Sequence, residues 1–351
     1  MGNTQVGGAH HRKLEILQRV HDFPVTLRET THRLREEDAE LFLKTLEESL
    51  IELLYGIKGN GLDCERDTHD QVETAIRFFP QVLCERYWGL HPPIYAQLAY
   101  FKSVPFIPLL AKLGIEFHQF QNDERGGLIY RDWNVLRSLA NNDCNEWYDE
   151  DDEYQQCLVD EKYAAVMKSL EEMGIFRKED VSKEDLMWEL SHNNYFPERR
   201  FRYLVNFDPT CYCNRQPSIY RIWLQQNDID VFQIVFELGA LHFPTEMGFL
   251  FHLDKNDGYN PFDRACYEFG TEKVTKIIED VLVTGNHYDD EVESDGDCDN
   301  IILKALIYAA TNSTVHLDGV YLLLRRDPGP LLPRDFQEIP AQTRNGKNDE
   351  K

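Results

Sequence analysis

The stretch Asp257-Gly258-Tyr259-Asn260-Pro261-Phe262-Asp263-Arg264-Ala265-Cys266, followed by Gly270, decides the fold of this chain. Asp-Gly favours a tight turn, Asn260 can cap the helix that follows, and Pro261 suits the first helical position, where a backbone N–H would have no partner. Gly270 permits the turn into a second helix. The apolar stripe of that helix comprises Val274, Ile277, Ile278, Val281 and Leu282. The stretch therefore predicts a turn followed by a pair of helices.

The same pattern recurs on both sides of this stretch. Pro217, forty-four residues before Pro261, begins one apolar helix, and an apolar second helix ends at Leu238-Gly239-Ala240. Forty-four residues after Ala265-Cys266, Ala309-Ala310 takes the same place, and Val320 to Leu324 forms the next second helix. A fixed period across successive units indicates a repeat array.

Weaker copies of the helix pair lie upstream. They are Pro93 to Ala99 with Ile107 to Gly114, Asn134 to Ala140 with Tyr163 to Gly174, and Leu186 to Leu190 with Phe201 to Val205. About six units fit between His91 and Pro328. Before them, the apolar spacing from Asp38 to Leu54 predicts an amphipathic helix that caps the array.

These features resemble the ankyrin-repeat superfamily, whose units combine a turn, Thr-Pro-Leu-His, a small-residue pair and a Leu-rich second helix. Asn260 to Ala265 matches that scheme, and the runs Phe196 to Leu204 and His316 to Leu323 are similar to a large family of divergent ankyrin-like proteins from diatom-type algae. The resemblance covers Glu73 to Pro328. The chain departs from the pattern because the Thr-Pro-Leu-His position lacks His and the spacing exceeds the usual length of about 33 residues.

The expected fold is all-α: an α-solenoid of about six or more degenerate ankyrin-type repeats with an N-terminal helical cap. Residues 1–37 are expected to be partly disordered, residues 38–330 to form the repeat domain, and residues 331–351 to form a disordered tail. Acidic insertions are expected near residues 143–160 and 286–299.

The net charge of −25, from 37 Lys and Arg against 62 Asp and Glu, argues against unaided binding to nucleic acid or anionic membrane and favours a basic or neutral partner. The acidity is concentrated, because Glu146 to Glu161 and Asp289 to Asp299 hold eight and seven carboxylates without any Lys or Arg. Both windows are predicted to be solvated loops.

Eight cysteines at irregular spacings favour reduced thiols in the cytoplasm or nucleus. The sequence has neither the apolar core of a signal peptide nor an apolar run long enough for a membrane span.

Motifs for chemistry are incomplete. Asp295, Asp297 and Asp299 alternate like calcium ligands, but Asn300 and Leu306 stand where a calcium loop requires Gly and Glu. Cys211 and Cys213 lack a second ligand pair for zinc. Gly126-Gly127 is predicted to be a turn, since nothing after it completes a phosphate-binding loop. No catalytic residue, metal site or cofactor is therefore predicted.

The function expected from the repeats is a non-enzymatic protein-interaction scaffold or adaptor, acting as a monomer. An enzyme whose site is assembled from distant residues is the alternative. Aromatic residues at helical spacing, namely Tyr220, Trp223, Phe232 and Phe236, favour a core role. The resemblance nevertheless places Tyr220 and Arg264 in the concave groove, with Gln225 and Glu268 beside them, and these four residues are the predicted contacts with a protein partner.

Overall fold

The computed structural model describes residues 36–56, 61–86, 91–130, 133–141, 153–214, 220, 226–253, 259–285 and 325. The chain divides into two compact units, Met1–Asn214 and Arg215–Lys351, which we call unit 1 and unit 2. The sequence predicts one continuous repeat domain over residues 38–330, whereas the structure places a boundary after Asn214.

Several predictions concern parts of the chain outside the described residues. They are the N-terminal segment up to residue 35, the second acidic insertion at 286–299, the last repeat unit around Ala309-Ala310, and the C-terminal tail.

Unit 1 is mostly helical in its described part. Its helices are α1 (Glu36–Leu54), α2 (His69–Phe78), α3 (Pro93–Ala96), α4 (Ile107–Glu116), α5 (Val135–Ala140), α6 (Glu153–Glu172), α7 (Lys178–Lys183), α8 (Leu186–Ser191), α9 (Glu198–Phe207) and α10 (Cys211–Asn214). Short 3₁₀ turns lie at Pro80–Leu83, Gln97–Ala99, Val104–Phe106 and Asn122–Gly127. Strands β1 (Ile129–Tyr130) and β2 (Trp133–Asn134) form an antiparallel hairpin in which Tyr130 pairs with Trp133.

Most helices of unit 1 lie in two rows. In the first row, the 3₁₀ turn after α3 contacts α5, and α5 contacts α8. In the second row, α2 contacts α4, α4 contacts α6, and α6 contacts α9. Across the rows, α3 packs against α4, α5 against α6, and α8 against α9. The helix pairs predicted over these residues are therefore present, and each pair packs against the next.

Apolar side chains fill the space between and within the rows. They include Val72, Ile76, Leu110, Leu113, Leu136, Leu139, Val166, Leu170, Leu190, Phe201 and Leu204, all nearly or fully buried. The amphipathic helix predicted from Asp38 to Leu54 is confirmed as α1, which packs against α3 and buries Leu46, Leu50, Leu53 and Leu54. Burial of such a face is the main source of helix stability in proteins.

Local sequence signals explain where two of these helices begin. The Thr68 side chain accepts a hydrogen bond from the Gln71 N–H, and the Gln71 side chain accepts one from the Thr68 N–H, which forms a capping box at the start of α2. The Asn134 side chain caps α5 by accepting from the Arg137 N–H at 3.1 Å.

The turn before the hairpin packs closely against α4. Gly126 has a φ of 69°, and a Cβ at this position would lie 2.1 Å from the Ala111 carbonyl oxygen. Only glycine tolerates both the backbone conformation and the close approach. The prediction that Gly126-Gly127 forms a turn is confirmed.

The first acidic window differs from its predicted structure. The sequence predicts a solvated loop from Glu146 to Glu161, but α6 begins at Glu153. Asp160 is only 4% exposed, and its carboxylate lies 2.8 Å from the Arg200 guanidinium. The loop prediction is therefore wrong from Glu153 onward, because a count of carboxylates does not show that Asp160 pairs with a basic residue forty positions away.

Unit 2 contains α11 (Ile229–His242), the 3₁₀ turn Met247–Phe249, α12 (Pro261–Phe269) and α13 (Thr271–Gly285) in its described part. Helix α13 packs against both α11 and α12. Phe232 and Phe236 are fully buried, which confirms their predicted core role, whereas Trp223 lies outside the described residues.

The described part of the decisive stretch, from Tyr259 onward, folds as predicted, whereas the predicted turn at Asp257-Gly258 lies outside the described residues. The Asn260 side chain accepts a hydrogen bond from the Asp263 N–H at 2.7 Å, and Pro261 is the first residue of α12. Gly270, with a φ of 89°, separates α12 from α13. These three positions produce the predicted helix pair because each acts within a single turn of chain.

In the described part of the chain, no helix is both long enough and apolar enough to cross a membrane.

Candidate protein-interaction surface

The four predicted contact residues do not form one surface in the described part of unit 2. Tyr220 is 3% exposed, and its hydroxyl donates a hydrogen bond to the Gly248 carbonyl oxygen. Burial raises the pKa of Tyr220 well above its usual value, so the hydroxyl stays a neutral donor. Its ring therefore belongs to the core, and the groove position expected from the resemblance is corrected.

Two of the remaining predicted contacts lie on α12. Arg264 is half-buried and Glu268 is exposed, and both are on this helix. Gln225 lies outside the described residues. Arg264 and Glu268 are thus at least partly exposed to solvent, whereas Tyr220 is buried.

Unit 1 contains a half-buried aromatic cluster beside the first row of helices. Tyr55 follows α1, His91 precedes α3, Tyr95 lies on α3, and Trp133 lies on β2. The rings of Tyr95 and Trp133 meet nearly edge to face with centroids 4.8 Å apart. The His91 ring lies 5.2 Å from Tyr95 and 5.4 Å from Trp133. Such contacts hold the rings in place while each keeps part of its surface exposed.

Hydrogen bonds fix the edges of this cluster. The Tyr55 hydroxyl lies 2.7 Å from the carbonyl oxygens of both Glu85 and His91. The Ser138 hydroxyl, on α5, lies 3.1 Å from the Tyr95 hydroxyl. Burial lowers the pKa of His91, so its ring is neutral near pH 7 and adds no positive charge to the cluster.

A polar network continues from the cluster along the first row. Asn134, next to Trp133, donates a hydrogen bond at 2.7 Å to the Glu184 carboxylate. Arg137 donates to the Glu184 carbonyl oxygen at 3.0 Å and lies within 3.9 Å of the Glu189 carboxylate. These contacts join α5 to the segment that carries α8, so the charged groups are positioned by two neighbouring helices of the first row.

Helix α8 adds an exposed tryptophan next to Glu189. Trp188 is 39% exposed, and its ring meets the His192 ring at a centroid distance of 4.4 Å in an edge-to-face arrangement. His192 also contacts the Trp188 carbonyl oxygen at 2.8 Å. The indole is thereby held on the helix while one side of it remains open to solvent.

We call the set Tyr95, Trp133, Arg137, Trp188 and Glu189 the aromatic strip. It runs from the hairpin over α3 and α5 to α8 and combines exposed or half-buried aromatic rings with a guanidinium and a carboxylate. Trp, Tyr and Arg are the residues that contribute most often to the binding energy of protein interfaces.

Sequence reasoning missed the aromatic strip because it applied the groove positions of the repeat only to unit 2. The first helices at Pro93 to Ala99 and Leu186 to Leu190 were themselves predicted, and they contain Tyr95 and Trp188. Aromatic residues on or directly before the predicted first helices, namely Tyr95, Trp133 and Trp188, are thus the signal that would have found the surface.

The structure describes only part of the two segments that resemble metal sites in the sequence. Cys211 is buried on α10, which also contains Cys213, and the aspartates of the calcium-like segment lie outside the described residues. Among the described residues, no group of three or more His, Cys, Asp or Glu side chains is placed to hold a metal ion.

Comparisons with protein-family models, with curated proteins and with solved structures find no significant match to this chain.

Proposed function

We propose that this chain is a non-enzymatic scaffold of degenerate ankyrin-type repeats, which holds a protein partner along the aromatic strip of unit 1. The fold class behind the proposal is supported by the two rows of helices, by the pairing of each first-row helix with a second-row helix, and by the hairpin that precedes α5. In arrays of this kind, each unit contacts mainly its neighbours and leaves an extended surface for binding.

The observation that carries the proposal is the placement of Trp133, Arg137 and Trp188 on neighbouring helix pairs of unit 1, which Arg137 joins through its contacts with Glu184 and Glu189. Half-buried aromatic rings lose little conformational entropy on binding, because packing already restricts them. A partner that covers Trp188 would remove its exposed indole surface from water, which is favourable.

The partner is expected to carry positive charge opposite the strip. Glu189 lies beside Trp188, and the chain as a whole has a net charge of −25. Excess negative charge speeds encounter with a basic partner and disfavours an acidic one. Binding should therefore weaken as salt concentration rises.

The test begins with the full chain as bait in affinity capture with chemical cross-linking, followed by measurement of the dissociation constant for the purified partner. Replacing Trp188 with Ala should weaken binding by about 2 kcal/mol, or roughly thirtyfold, if this residue is an interface anchor. Circular dichroism should show that the variant remains folded.

Phe78 supplies the matched control, since it is 41% exposed but lies on α2 in the second row. Phe78→Ala should bind the partner as tightly as the unaltered chain. Equal affinity for the unaltered chain and Trp188→Ala, or cross-links confined to the second row, would refute the proposed surface.

A further inference from the structure

One lysine of unit 1 faces a thiol. The Lys162 Nζ lies 3.6 Å from the Cys64 Sγ, although ninety-eight residues separate them in sequence. Cys64 is a free, half-buried cysteine in the turn before α2, and Lys162 is a half-buried residue of α6. The nitrogen and the sulfur are thus in non-bonded contact, and small side-chain movements would bring them within bonding distance.

The surroundings of Lys162 are unusual for a chain with so many carboxylates. Its Nζ lies 4.6 Å from the centroid of the Phe101 ring. Among the described residues, no carboxylate lies within 4.0 Å of this nitrogen, whereas Lys102 nearby pairs with Glu65. The aromatic face and the sulfur therefore keep the amine aimed at Cys64.

The turn that carries Cys64 is held by several hydrogen bonds. The Cys64 N–H donates to the Lys102 carbonyl oxygen at 2.9 Å, and the Asp63 N–H donates to the buried Asp67 carboxylate at 2.9 Å. The same carboxylate pairs with Arg66. These contacts fix the backbone on both sides of the thiol, so its separation from Lys162 is set by the fold.

We propose that Cys64 and Lys162 form a reversible covalent cross-link when the protein is exposed to hydrogen peroxide. Peroxide oxidises the Cys64 thiol to a sulfenic acid and is itself reduced to water. Lys162, after releasing a proton to solvent, attacks the sulfur with its neutral amine. The S–N bond of a sulfenamide forms, the S–O bond breaks, and the hydroxyl leaves as a second water with a proton from nitrogen. Two thiols of a reductant then restore both side chains and become a disulfide.

The cross-link would join the turn before α2 to α6, two elements with α4 between them in the second row. Closing a loop of this length restricts the unfolded chain. Oxidation should therefore tighten unit 1 and slow any opening of its second row.

Cys84 provides a matched control within the same unit. It is exposed, and its sulfur contacts the Gln81 carbonyl oxygen and the Gln119 side chain. Peroxide can reach this thiol, and among the described residues no lysine amine contacts its sulfur.

The experiment treats the full chain with hydrogen peroxide under native conditions, digests it and analyses the peptides by mass spectrometry. The expected product joins the Cys64 and Lys162 peptides with the loss of two hydrogens, and dithiothreitol releases them. The product should persist in Cys84→Ser and disappear in Cys64→Ser, Lys162→Gln and Lys162→Arg. Limited proteolysis of unit 1 should slow by roughly tenfold or more after oxidation.

Two results would overturn the proposal. One is oxidation of Cys64 to sulfinic or sulfonic acid with no linked peptide. The other is formation of the same linkage to several lysines, or in chain unfolded by urea before oxidation, since the proposal requires the folded geometry.

Discussion

Among the ion pairs that join neighbouring helices in the second row of unit 1, two have contrasting surroundings. Arg77 of α2 reaches Glu116 of α4, and these side chains are 41% and 40% exposed. Arg200 of α9 reaches Asp160 of α6, and these are 0% and 6% exposed. The same Arg–carboxylate pairing therefore occurs at a solvent-exposed contact between helices, which we call the open junction, and at a buried contact, which we call the closed junction.

The buried pair also organises the backbone around it. The Arg200 guanidinium donates to the carbonyl oxygens of Leu139 and Ala140 at the end of α5, at 2.8 and 3.0 Å. Asp160 accepts hydrogen bonds from the N–H groups of Arg199 and Arg200. One residue thus connects three helices, whereas Arg77 connects two. Neighbouring helices in the second row of unit 1 therefore differ in how strongly they are held together.

The largest effect should come from Arg200→Met. It leaves the Asp160 carboxylate buried without its charged partner and removes the Arg200 donor from the Leu139 and Ala140 carbonyl oxygens, so the free energy of unfolding should fall by about 3–5 kcal/mol. Urea unfolding followed by circular dichroism measures the change.

Arg199→Met is the control for that prediction, because Arg199 pairs with Glu161 at 3.7 Å and both side chains are more than half exposed. It should change stability little. The double variant Asp160→Leu with Arg200→Met should recover part of the loss. Equal stability for Arg200→Met and Arg199→Met would show that burial does not make the Arg200 ion pair more important than the exposed Arg199 ion pair.

Asp180→Asn tests an ion pair in which the carboxylate is fully buried and the guanidinium is slightly exposed. Asp180 is fully buried, pairs with Arg125 from the turn before the hairpin, and accepts a hydrogen bond from the Arg177 N–H at 2.8 Å. Loss of the charge should reduce stability by about 2 kcal/mol, the usual value of a hydrogen bond to a charged group. Glu179→Gln, at an exposed position next to it, should have almost no effect in the same urea titration.

His91→Gln tests how the burial of a titratable group changes the dependence of stability on pH. Burial lowers its pKa below the ordinary value of 6.5, so the unfolded chain binds the proton more readily than the folded chain. Its contribution to stability is complete above pH 6.5 and is lost as the pH falls from there toward the folded-state pKa. His91→Gln should flatten the stability change between about pH 7.5 and about pH 5.5, and an unaltered slope would contradict this.

The smallest effect is expected for Arg77→Gln at the open junction. Hydrogen bonds from Arg77 lower the pKa of Glu116, but both groups are solvated, so water and salt compensate for most of the lost attraction. The urea midpoint should move slightly at low salt and not at all at high salt. A loss close to that of Arg200→Met would show that exposure does not separate the two junctions.

The helices of the described residues were predictable where a signal acts within a few residues. Asn134 and Asn260 are side-chain caps, and each stands at the start of a predicted helix. The hairpin strand at Trp133 and the helical start at Glu153 were not predicted. In the second case the carboxylates suggested a solvated loop, while the helix depends on packing against α4 and α9.

The candidate site was less predictable than the fold. The resemblance selected Tyr220, but its environment depends on Gly248, twenty-eight residues further along the chain. Trp188 lay on a predicted first helix and was not selected, because the groove positions were applied only to unit 2.

The sequence by itself determined the helical character of this chain, the position of the Asn260-Pro261-Gly270 unit and the pairing of helices along unit 1, because caps, prolines, glycines and apolar spacing act locally. Only the tertiary structure decided that Asp160 is a buried partner of Arg200, that Tyr220 belongs to the core and that Trp188 remains exposed. Burial depends on which distant residues meet, and such partners lie far apart in the chain, as Asp160 and Arg200 show at forty positions from each other.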